Sequence, residues 1–421
     1  MPFSLMPFAG WRFDLSQVGA LADVVACSTE LVGDAAASAF PSIHAEKLLC
    51  RAAAVADPVQ RAALLAQSDD YFHQWRRKGI LQQEHDSAYY VVQSCVETEL
   101  DSAEVWSVIG VTDLRAEYDQ MICPQQQAVT CAEQQEFALQ RRIRCEMDHQ
   151  PIRILLSDPD AGEVEQSLRD VLQESVRDLT PVICAQPGRR TTKIWSVVEA
   201  ASTAQIRQRI ASGDAVLTEG LARYHAARRH LAGADEGAEV PMAAGNLLCC
   251  VTAADEVSLQ LVPRIFSLRN LQVSPADVCE RADGISGVTC SDGGTGVSAV
   301  QEVLELARLS RSGPSAVLVL ENGRTLLLEA GSDCRSLQEF QLLIRDQLLE
   351  CQGKDFREAS GRTIADLSAA DAGEAFVIQV VPLSLSPSRL AAVVQGATER
   401  DLIAAPEIPS GLVYHSLHEG T

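Results

Sequence analysis

The segment Glu219-Gly220-Leu221-Ala222-Arg223-Tyr224 sets an acid, a glycine and an arginine directly after the apolar run Ala215-Val216-Leu217. A strand that turns sharply into a helix presents unsatisfied backbone N–H groups and the positive end of the helix dipole, which together suit an anion. Arg223, one turn into a helix expected over Leu221 to Leu231, adds a guanidinium fitted to bidentate contact with phosphate or carboxylate. The competing reading of Glu219 and Arg223 is an ordinary ion pair. Leu221, Tyr224, Ala227 and Leu231 fall on one helical stripe and read as packing residues.

Other groupings carry weaker signals. The basic runs Arg141-Arg142-Ile143-Arg144 and Arg189-Arg190-Thr191-Thr192-Lys193 read as solvated faces or turns, with a phosphate site as the rarer alternative. Asp292-Gly293-Gly294-Thr295-Gly296 lacks the Gly-Lys-Ser/Thr ending of a P-loop, so it reads as a flexible connection into an N-capped helix. His225 and His230 lie five apart, point in different directions on a helix and read as surface residues; His415 and His418 receive no role. The thirteen cysteines include no C-x-x-C and only one adjacent pair, Cys249-Cys250, which argues against a structural zinc. Buried free thiols acting as small hydrophobes are the better reading.

These residues sit in a chain of 421 with ordinary globular composition, 47% hydrophobic and 22% charged. Aromatics are sparse at 5%, so the expected core is aliphatic. A formal net charge of −22 argues against nucleic acid and anionic membranes as partners. No apolar stretch reaches the length of a membrane span, and Met1-Pro2-Phe3-Ser4-Leu5 does not open a secretory signal, so a cytoplasmic protein is expected.

Helical periodicity covers Ala45 to Gly79 with a break at Asp57-Pro58, then roughly 132–150, Val164 to Leu179, Thr203 to Ser212 and Ser336 to Leu349. Strands are expected near Val24, Tyr89, Val105, Ile152, Val182, Thr192, Ala215, Asn246, Val257 and Phe376. Asn322-Gly323 between two apolar runs predicts a hairpin with a type I′ turn. The stretch Gly233 to Ala238 reads as a linker. These elements predict a mixed α/β fold in three parts: an N-terminal α/β region (1–150), a central unit (151–232) and a C-terminal α/β domain (239–421).

The order of several motifs resembles one family, the "domain of unknown function ten-fifteen" proteins. The opening Pro7-Phe8-Ala9-Gly10-Trp11-Arg12-Phe13 and the late Gly411-Leu412-Val413 are similar to its ends. The family's central Asp-Gly-His-His-Arg-Tyr, shared with the ParB/sulfiredoxin group, corresponds to Glu219 through Tyr224. The resemblance implies a ParB/sulfiredoxin-like central unit and a site retaining Glu219, Gly220, Arg223, Arg264, Arg12 and Glu30. The remaining polar stations depart from the family: Leu221-Ala222 replace two histidines, Gln125-Gln126 a His-Glu pair, and Asp401-Leu402 stand after Arg400 where the family carries Ser-Thr. The chain is therefore expected to be a non-catalytic scaffold for a small anionic ligand or a protein partner. No catalytic residue, metal ligand or firm cofactor is assigned. The alternative implied by the wider group is nucleotide-dependent phosphoryl transfer to a small molecule, with a nucleotide and magnesium as cofactors.

Overall fold

A computed structural model describes residues 2–18, 45–55, 57–97, 102–116, 121–123, 130–157, 166–185, 190–235, 242–254, 259–261, 263–269, 273–320, 323–331, 334, 336–350, 356–359, 367, 374–382, 390, 393, 397, 404–405 and 411–418. The strand expected near Val24 lies outside the described residues. The chain divides into two compact units. The first comprises Met1–Met121, Gln127–Ser258 and Pro406–Thr421, the second Ile122–Gln126 and Leu259–Ala405.

In chain order the elements begin β1 (Trp11–Phe13), α1 (Ala45–Ala54), α2 (Pro58–Arg77), β2 (Leu81–Gln83), β3 (Tyr89–Glu97), β4 (Ser102–Asp113) and β5 (Met121–Ile122). There follow α3 (Thr130–Cys145), β6 (Met147–Asp148), β7 (Ile152–Ser157), α4 (Leu168–Val176), β8 (Ile183–Ala185), β9 (Arg190–Val197) and α5 (Ala200–Ala211). Next come β10 (Asp214–Glu219), α6 (Leu221–Asp235), β11 (Asn246–Ala253), β12 (Gln260–Leu261), β13 (Arg264–Arg269), α7 (Pro275–Asp283), β14 (Val288–Thr295) and α8 (Val297–Arg308). The chain ends with β15 (Ser315–Val319), β16 (Arg324–Ala330), α9 (Leu337–Leu343), β17 (Phe356–Glu358), β18 (Glu374–Val380), β19 (Ala404–Ala405) and β20 (His415–Ser416). No helix among the described residues is long and apolar enough to cross a membrane.

The first unit is built on a mixed sheet of order β5-β10-β7-β11-β4-β3-β9-β8. Its middle strand β11 lies after the 233–238 stretch in sequence, yet runs parallel to β7 and antiparallel to β4. The break between α1 and α2 is where Asp57 caps α2, accepting from the Val59 N–H at 3.0 Å, with Pro58 in the first turn. The helix expected over 132–150 stops at Cys145 instead. Glu146 takes a left-handed conformation (φ +53°), the usual geometry just past a helix end, and β6 follows to pair with β20. The core of this unit is mostly aliphatic, as composition predicts, with an aromatic cluster in which Phe13, Phe72, Trp75 and Tyr414 meet at centroid distances of 5.3–6.0 Å.

The second unit holds an antiparallel sheet of order β14-β16-β15-β18-β13-β17. Alternate residues of β15 and β16 feed opposite cores. Ala316, Leu318, Leu326 and Leu328 pack with Val278 of α7 and Phe340 of α9, while Val317, Val319 and Leu327 pack with Val300, Val303 and Leu304 of α8. A sheet covered on both faces reads as an unbroken apolar run, which is why this hairpin stands out in the sequence. Its connection differs from the expected type I′ turn. The Leu320 N–H donates to Arg324 O at 2.8 Å and the Gly323 N–H to Leu320 O at 3.0 Å, with Gly323 at φ +69°. That pattern closes a longer loop with glycine at the bulge position. Residues 321 and 322 lie outside the described residues.

The glycine-rich run at 292–296 also differs from the flexible connection expected. Its first four residues end β14, with a bulge between Asp292 and Gly294, and a Cβ at Gly293 would stand 2.1 Å from Val303 Cγ2.

Candidate functional site

The turn singled out in the sequence joins β10 to α6. Glu219 stands opposite Arg153 of β7, just after a bulge, and the buried carboxylate lies 3.2 Å from the Arg153 guanidinium. Gly220 has φ +90°, and a Cβ there would fall 2.6 Å from Arg223 Nη2 and 2.7 Å from Ile152 Cγ2. Glycine is thus required by backbone conformation and by the side chain folded over it. Arg223 lies across the turn, donating through Nη1 to Gln150 Oε1 (3.3 Å) and through Nη2 to Pro151 O (3.2 Å). Leu221 and Ala222 are buried and serve packing.

Beside this turn lies a set of buried charges carried by α3 and the short segment 146–150. Arg142 of α3 pairs with Asp148 of β6, and its Nη2 donates to the carbonyls of Ala244 (2.9 Å) and Asn246 (2.8 Å). Asp148 also accepts from the Leu248 N–H at 3.3 Å and lies 3.2 Å from Nδ1 of His415. The pairing of β20 with β6 sets His415 directly across from Asp148. Next in chain, His149 has Nδ1 3.3 Å from Glu46 Oε1, while its Nε2 is buried with no hydrogen-bond partner among the described residues.

The electrostatics follow from burial and neighbours. Burial alone would raise the Asp148 pKa, but the Arg142 guanidinium and the His415 ring overcome it and hold this carboxyl well below its usual range. Burial lowers the His149 pKa against the opposing pull of Glu46, so its ring is neutral at pH 7. Arg141 is the exception among the arginines of this region. Only 7% exposed, it has no hydrogen bond and no ion pair among the described residues. Its pKa is lowered by burial first and by the like charge of Arg223 second.

The residues named from sequence are distributed as follows. Glu219, Gly220 and Arg223 share one turn of chain. Arg12 of β1 pairs with Glu84, just past the end of β2, in a partly buried contact. Arg264 belongs to the second unit, where it lies 3.1 Å from Glu358 and over the Phe266 ring. Glu30, Gln125-Gln126 and Arg400 lie outside the described residues. His225 and His230 are half-buried rather than at the surface, and burial lowers both their pKa values.

Glu46, Arg141, Arg142, Asp148, His149 and His415 were not chosen from sequence. One signal existed for them, the basic run at 141–144. The structure corrects its reading as a solvated face: Arg141 and Arg142 are buried, and only Ile143 and Arg144 face solvent.

A family model described as a protein of unknown function (DUF1015) matches residues 5–328, more than three quarters of the 421 residues. The chain therefore belongs to that family. No curated protein matches it.

Proposed function

We propose that this DUF1015-family protein binds a small anion, a phosphate or carboxylate group, at Arg141 and Arg223 beside the start of α6, and that the turn carries no acid–base chemistry. The observation that carries this reading is Arg141, a residue only 7% exposed whose guanidinium has no hydrogen bond and no ion pair among the described residues. An unpaired buried ion costs several kcal/mol, so such a group marks a place where a ligand supplies the missing charge. Arg141 feels the carboxylates of Glu46 and Asp148 and the like charge of Arg223, and forms an ion pair with neither carboxylate. Against catalysis at the turn stand Leu221 and Ala222, which are apolar and buried.

Thermal-shift titrations with inorganic phosphate, pyrophosphate and ATP, each with and without magnesium, test the reading. Ligand at about 100 Kd adds about 2.7 kcal/mol of stability. At least one anion should raise the Tm of the wild type and leave Arg141→Met unmoved. No response to any of them, or an equal response in R141M, would overturn the proposal. A response confined to ATP with magnesium would narrow the ligand to a nucleotide.

A further inference from the structure

The second unit brings two cysteines together that have no role in the anion site. Cys279 lies on α7 and Cys290 on β14, and their Sγ atoms are 2.7 Å apart. Both thiols are half-buried and pack at the edge of the core formed by α7, α9 and the sheet. We propose that Cys279 and Cys290 form a reversible disulfide, made by exchange with a low-molecular-weight disulfide such as oxidised glutathione.

The elements that carry the two thiols are fixed independently of them. Helix α7 starts with a capping box, in which the Ser274 side chain accepts from the Asp277 N–H and the Asp277 carboxylate accepts from the Ser274 N–H. It ends at Gly284, whose N–H donates to helix carbonyls. Strand β14 is held along its length by β16, with Cys290 opposite Leu328. The connection between helix and strand is tied down by the Gly331 N–H donating to Gly287 O at 2.5 Å. Once one of these sulfurs is in a mixed disulfide, the other attacks it far faster than a free thiol would, because the cost of bringing the two together has already been met in folding. A disulfide needs its sulfurs about 2.05 Å apart, a small closure from the observed separation.

The exchange balances as follows. The Cys279 thiolate attacks one sulfur of oxidised glutathione and displaces a glutathione thiolate, which takes up a proton from solvent. Cys290, after giving its proton to solvent, attacks the Cys279 sulfur of the mixed disulfide and displaces the second glutathione. Two protein thiols are oxidised and one glutathione disulfide is reduced to two thiols. Burial and the neighbouring Cys279 thiol hold Cys290 protonated, so its thiolate forms only on loss of that proton to solvent. The product closes a short loop and locks α7 onto an edge strand of the sheet.

Arg281 lies between the two cysteines, so trypsin separates them into peptides 270–281 and 282–308, each with one cysteine. The full-length protein incubated with oxidised glutathione at pH 8, alkylated and digested, should yield these two peptides joined, and reductant should separate them. Cys290→Ser should stop at a glutathione adduct on Cys279, and Cys279→Ser should give no joined peptides. Oxidised wild type should melt higher than reduced by on the order of 5 °C. The joined peptides failing to appear, or a stable glutathione adduct on Cys279 in the wild type, would overturn the proposal.

Discussion

The two units treat charge in opposite ways. In the first, Glu46, Arg141, Arg142, Asp148, His149, Arg153, Arg209, Glu219 and His415 are all buried. In the second, the buried polar side chains among the described residues are Ser310, Ser315, Thr325 and Gln379, and the ion pairs Arg324–Asp292 and Arg345–Asp346 lie open to solvent. Both units have a sheet and helices, so the difference is not one of architecture. Buried charge is costly and usually adds little net stability, and its concentration in the first unit among the described residues is best understood as use there. The comparison directs attention to the surroundings of Arg141 rather than to the more conspicuous hairpin.

The largest effect should come from cutting the charge network. Asp148→Asn leaves Arg142 and His415 without their anion and should cost about 3–5 kcal/mol in urea unfolding. Asp292→Asn, its counterpart in the second unit, should shift the unfolding midpoint far less because the pair is half exposed and screened by solvent. Equal losses would erase the contrast between the units.

Gly220→Ala comes next. It forces a side chain into a left-handed position and against Arg223, at roughly 1–3 kcal/mol. It should also weaken any anion response, since Arg223 must move. A stable Gly220→Ala protein with an unchanged response would detach the turn from the site.

Smaller still is a pH effect. His149 has a lowered pKa in the fold, so the unfolded chain binds more protons than the native one as pH falls. Its contribution is fully present above the ordinary histidine pKa of about 6.5 and is lost as pH drops from there toward the folded value. Thermal melts should show stability declining between about pH 7 and pH 5, and His149→Gln should flatten that slope. Asp148 acts in the same direction lower down, with its contribution present above about pH 4 and lost as pH falls further.

Much of this arrangement was legible from local chemistry. Asp57-Pro58 announces a helix start, Glu219-Gly220 a turn that needs glycine, and 315–330 a hairpin buried on both faces. The segment 146–150 was not legible. Apolar residues Phe137, Leu139 and Ile143 carry the helical rhythm up to it, and the left-handed residue that ends the helix is Glu146, where glycine would have given a signal. The burial of Arg141 and Arg142 was hidden for a different reason. The partners of Arg142 and Asp148 come from positions 244, 246, 248 and 415, and no short window contains both sides of such contacts. Strand β13 was missed as well, since Arg264-Ile265-Phe266-Ser267-Leu268-Arg269 is short and flanked by charge. The hairpin's exact loop depended on hydrogen bonds that Asn-Gly alone does not determine.

The central claim is that Arg141 waits for an anion. Titration calorimetry with pyrophosphate, on the wild type and on Arg141→Met and Arg264→Ala, tests it most directly. The account predicts one site per chain in the wild type and in R264A, and loss of that site in a folded R141M. Binding retained in R141M, or lost in R264A instead, would contradict it.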